Sequence, residues 1–88
     1  MKATEIADWM QHQLEKEECL YQEDVVDYLV KINKEQFLKE NTDGNLVLTT
    51  PVLNAFKKLN TDTVVWVKPD RYWRFRVPED EDGREARG

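Results

Sequence analysis

Residues 63–77 read TVVWVKPDRYWRFRV, two alternating runs rich in aromatic and β-branched side chains around a turn. This pattern predicts a hairpin, with Pro69 and Asp70 at the central positions of a type I turn. A two-residue connection sets Trp66 opposite Trp73 and Val64 opposite Phe75. Type I turns match strand twist poorly, so a bulge at Arg71 would shift that register. Side chains alternate along a strand, so Trp73, Phe75 and Val77 share one face while Tyr72, Arg74 and Arg76 share the other.

A lone hairpin cannot hide its apolar face, and the preceding residues supply what could cover it. Residues 4–16 carry Ile6, Trp9, Met10 and Leu14 at helical spacing. Thr4 can cap that helix, and Glu5 and Asp8 suit its first turn. A second helix is expected from about Gln22, with Val25, Val26, Tyr28, Leu29 and Ile32 as its apolar stripe, ending near Asn33. Cys19-Leu20-Tyr21 between them can form a strand that pairs with the hairpin. FLKENTDGNLVLTT reads as extended, with Asp43-Gly44 as a turn. Thr50-Pro51 opens a third helix, with Thr as cap and Pro at its first position. Val52, Leu53, Ala55, Phe56 and Leu59 are expected to face inward, and Asn54, Lys57, Lys58 and Thr61 outward.

These elements predict an α+β, winged helix-turn-helix-like domain over residues 1–78, with three helices and a C-terminal two-stranded hairpin. The third helix and hairpin would be recognition helix and wing. Residues 79–88, EDEDGREARG, predict a disordered acidic tail. The stretch GNLVLTTPVLNAFKKLNTDTVVWVKPDRYWRFR resembles a family of small bacterial proteins of unknown function. The likeness lies in Gly44-Asn45-Leu46, Val52-Leu53, Ala55-Phe56, Lys58-Leu59, Val64-Val65-Trp66 and Arg71-Tyr72-Trp73-Arg74. Lys68-Pro69-Asp70 stands where the family pattern has a Gly-containing turn. The resemblance implies a winged-helix-like fold and carries no activity, ligand or catalytic residue.

The net charge of −5 is unevenly spread over the 88 residues. Residues 1–45 hold five basic against eleven acidic residues, residues 46–76 six against two, and residues 77–88 two against five. An acidic total argues against indiscriminate nucleic-acid binding, while the basic middle segment leaves a focused site open. Asn54, Lys57 and Lys58 project from one helical stripe and have side chains able to pair with bases or phosphates. Lys68, Arg71, Arg74 and Arg76 would hold phosphate from the wing. Four to six phosphate contacts give only about micromolar, salt-sensitive binding, so helix and wing would have to act together.

The competing expectation is a protein-interaction module of the same fold, including a homodimer, anchored by wing Trp or Tyr. The acidic residues Asp8, Glu15, Glu17, Glu18, Glu23, Asp24 and Asp27 suit either a solubilising surface or a surface for a basic partner. Glu79 to Asp82 belong either to an inert tail or to one that folds over the wing and masks it.

Other classes find little support. One Cys (Cys19) and one His (His12) supply neither a disulfide nor a tetrahedral zinc set. There is no Ser, no phosphate-cradling glycine loop and no activated nucleophile pair, so no enzyme, cofactor or small-molecule substrate is expected. No apolar run approaches the ~20 residues of a membrane span, and a cytoplasmic protein without a membrane partner is expected.

Overall fold

Apolar periodicity becomes helix and sheet in a computed structural model that describes residues 2–80, 83, 85 and 86, the last two by backbone alone. Helix α1 (Ala3–Glu17) buries Ile6, Ala7, Met10 and Leu14, one stripe at helical spacing. It begins earlier than the Thr4 cap predicts: Lys2 precedes it, and the Lys2 backbone N–H donates to Glu5 Oε1 at 2.9 Å. Glu18, at φ 66°, turns the chain out of the helix into β1 (Cys19–Tyr21). Helix α2 (Gln22–Lys31) buries Val25 and Leu29. It ends where expected, with Asn33 at φ 59° and the Lys34 N–H donating to the Leu29 carbonyl at 2.8 Å.

The stretch expected to be merely extended is a second hairpin. After a 3₁₀ turn (Glu35–Phe37), β2 (Leu38–Glu40) pairs antiparallel with β3 (Leu46–Leu48). Gly44, at φ 81°, makes their reversal possible, a conformation that disfavours side chains with a Cβ. Helix α3 (Thr50–Asn60) follows with Thr49, not Thr50, in the capping position. Val52 and Phe56 point inward as predicted. Leu59 does not: it is 48% exposed, and Asn60 is buried in its stead.

Strands β4 (Val64–Val67) and β5 (Tyr72–Phe75) form the predicted C-terminal hairpin, with Trp66 opposite Trp73 and Val64 opposite Phe75. Arg71 adopts φ 54° and its N–H donates to the Lys68 carbonyl at 3.3 Å. The left-handed residue accommodates the strand twist, and the register survives. β1 pairs antiparallel with β5, placing Leu20 beside Trp73, and a two-residue β6 (Glu85–Ala86) pairs parallel with β4, for a sheet order β1-β5-β4-β6. The architecture is thus α+β, with three helices among the described residues. The expected disordered tail falls partly on residues 81, 82, 84, 87 and 88, outside the described set.

One sheet face meets the helices. Leu20, Trp73 and Val64 join the core with Phe56, Met10 and Leu29, and Trp66 and Phe75 pack against it. The opposite face carries Cys19, Tyr21, Val65, Val67, Tyr72 and Arg74 by register. Val65 and Val67 are nonetheless fully buried there, outside the main core cluster.

Candidate binding surfaces

The residues expected to bind together occupy separate surfaces. Asn54 and Lys57, three apart on the exposed side of α3, edge a groove of about 360 Å³. Leu53, Phe56, Trp66 and Trp73 supply its apolar lining, and Gln22 reaches it from the start of α2. Gln22 is held there on both sides: its N–H donates to the Arg71 carbonyl at 3.0 Å and its Oε1 accepts from the Leu48 N–H at 3.4 Å. Trp73 meets Phe56 edge-on, with ring centroids 5.1 Å apart, and Trp66 tilts against Trp73 at 4.6 Å. Trp66 keeps part of its ring accessible, unlike Trp73, which is 4% exposed. The groove can therefore take an apolar side chain against an indole while Lys57 meets an anionic group at its edge. Lys58 is exposed on α3 and Lys68 at the hairpin tip, and neither lines this groove.

Arg71 borders a different cavity, with Glu23 and Asp27 of α2 and with Gly44, Asn45 and Leu46 of the second hairpin. Carboxylates there favour a guanidinium and oppose a phosphate.

Arg74 lies across the sheet from the α3 groove. Its Nη1 donates to Asp80 Oδ2 at 2.9 Å and its Nη2 to Asp80 Oδ1 at 2.8 Å. Asp80 reaches this position through a tight turn, in which the Val77 N–H donates to Asp80 Oδ2 and the Asp80 N–H donates to the Val77 carbonyl. Hydrogen bonding from Arg74, then from the Val77 backbone, holds the Asp80 carboxyl down at about 2, and Asp80 raises the Arg74 guanidinium in turn. Arg76 donates to the Gly83 carbonyl.

Helix α3 and the hairpin therefore bring Asn54 and Lys57 together but put Arg71 on a different cavity and Arg74 on the other sheet face, while Arg76, whose backbone N–H donates to the Thr63 carbonyl at 2.8 Å, turns its guanidinium to the Gly83 carbonyl. The missed element is the Val77–Asp80 turn, whose only signal in the sequence is Pro78 followed by acids; masking of the wing by Glu79 to Asp82 was the expectation closest to it. The alternation pattern also left unseen that Val65 and Val67, on the arginine face, are closed off from water. Among the described residues no group of His, Cys, Asp and Glu could hold a metal ion, and no helix is long and apolar enough to cross a membrane.

A family model described as "family of unknown function (DUF6953)" matches residues 2–75, and the chain belongs to that family. The match spans all three helices and the C-terminal hairpin and stops before Asp80. No curated protein and no solved structure matches the chain.

Proposed function

We propose that this family member is a non-catalytic, winged-helix-like module that binds a protein segment in the groove between α3 and the sheet. The order α1, β1, α2, α3, β4, β5, with β1 beside β5 and β5 beside β4, supports the winged-helix reading. The β2–β3 hairpin is then an insertion before the recognition helix.

The observation that carries the choice of ligand is the position of Arg74 against Asp80, on the sheet face away from Lys57. With Arg71 beside Glu23 and Asp27, the cations left exposed on α3 and the hairpin tip are Lys57, Lys58 and Lys68. About three phosphate contacts on a chain of net charge −5 give weak duplex binding that physiological salt abolishes. An accessible indole beside one lysine is instead the anchor-and-rim arrangement of protein interfaces. The matching occupant is an apolar side chain followed by a carboxylate, which would meet Trp66 and Lys57.

Selection from a random-peptide phage library tests this reading. Enriched peptides carry an aromatic or aliphatic residue next to Asp or Glu, shift tryptophan emission to the blue, and lose binding in Trp66→Ala. Enrichment unaffected by Trp66→Ala, or salt-sensitive binding of random duplex DNA with no enriched peptide, overturns it.

A further inference from the structure

A further cleft lies between α1, β1 and α2; it shares no lining residue with the α3 groove and only Asp27 with the Arg71 cavity. Its volume is about 560 Å³. Trp9 and Tyr28 form one wall, stacked face to face with centroids 3.9 Å apart and planes within 6°. Tyr21, 44% exposed and stacked on Tyr72 at 5.0 Å, contributes a further accessible ring. Three carboxylates line the same cleft, Glu17 from the end of α1 and Asp24 and Asp27 from α2, against one cation, Lys31. All three are exposed, and none forms an ion pair with another described residue.

We propose that this cleft is a docking site for an arginine-bearing segment of a partner protein. Guanidinium planes stack on aromatic faces and fork two donors onto a carboxylate, so rings and unpaired acids in one cleft match arginine twice over. A lysine ammonium matches the charge but cannot form the planar stack. The cleft is large enough for a short stretch of chain rather than a single ion. The surrounding half of the molecule, residues 1–45, is strongly acidic and steers such a segment toward it. The inference stands apart from the α3 groove, and either site can fail without the other.

Anisotropy titrations with fluorescein-labelled oligo-arginine and oligo-lysine peptides of equal length test the cleft directly. Oligo-arginine binds more tightly than oligo-lysine and moves the Trp9 indole N–H resonance. The double variant Glu17→Gln/Asp24→Asn weakens oligo-arginine binding by about fivefold, the sum of two exposed ion pairs. The charge-matched control Glu40→Gln/Asp62→Asn, both exposed and neither lining the cleft, changes it less than about twofold. Both double variants alter exposed side chains, so folding is expected to survive, and far-ultraviolet circular dichroism verifies it. Equal weakening by the two variants, no preference for arginine, or an unmoved Trp9 resonance each overturns the proposal.

Discussion

Arg74 grips both carboxylate oxygens of Asp80, six residues further along the chain, at 2.8 and 2.9 Å. Two parallel donors on one carboxylate fix orientation as well as distance. Strand register puts Arg74 on the sheet face away from the α3 groove, beside the fully buried Val65, and the contact fixes its guanidinium there. A charge that alternation alone would leave in solvent is thereby built into the structure.

The pH dependence of that contact follows from its sign. Asp80 has a depressed carboxyl, at about 2, so its contribution to stability is present above the unfolded value of about 3.9 and lost as pH falls through about 2. An NMR titration of the Asp80 side-chain carbonyl carbon should show a midpoint near 2, returning toward about 4 in Arg74→Gln. A wild-type midpoint near 4 would mean that the clasp does not form in solution.

Asn60 is 2% exposed, and its Nδ2 donates to Gln11 Oε1 at 2.8 Å, tying the end of α3 to α1. A double-mutant cycle of Gln11→Ala and Asn60→Ala, read by urea denaturation, should give a coupling of about 0.5–1.5 kcal/mol. A coupling of zero would remove this bond from the account of how α3 is oriented.

Phe56 is fully buried against the edge of Trp73 and lies beneath the proposed groove. Phe56→Ala should lower the unfolding free energy by about 3–5 kcal/mol, a large fraction of what a small domain has. A fall below about 1 kcal/mol would mean that the site collapses around the smaller side chain or is not packed as described.

Much of this structure was legible in the sequence, and the failures share a cause. The Trp66–Trp73 register followed from alternation about a short turn, since both strands must present their large rings to one core. The ends of α2 and the pairing of Cys19-Leu20-Tyr21 with the hairpin followed from equally local signals. The Leu59 and Asn60 positions did not, because the last turn of α3 is oriented by Gln11, 49 residues away. Apolar spacing cannot register a polar partner at that separation. The Arg74–Asp80 contact was hidden for a related reason: the chain reverses after Phe75 through one backbone bond and one backbone-to-carboxylate bond between Val77 and Asp80, where no apolar pattern reports direction. The seven candidate site residues were chosen for charge and hydrogen-bonding capacity; alternation assigned Arg74 its sheet face, but nothing local said that α3 packs on the other one.

The separation of Lys57 from Arg74 has one direct test, fluorescence anisotropy of labelled random duplex DNA at low salt with wild-type protein and Asp80→Asn. The substitution removes the carboxylate charge opposing Arg74 while leaving the α3 groove untouched. Neither protein is expected to bind with saturation, because the released guanidinium still lies across the sheet from the α3 lysines. Saturable, salt-sensitive binding that appears or strengthens in Asp80→Asn would contradict this, and would mean that helix and hairpin form one polyanion surface that Asp80 keeps closed.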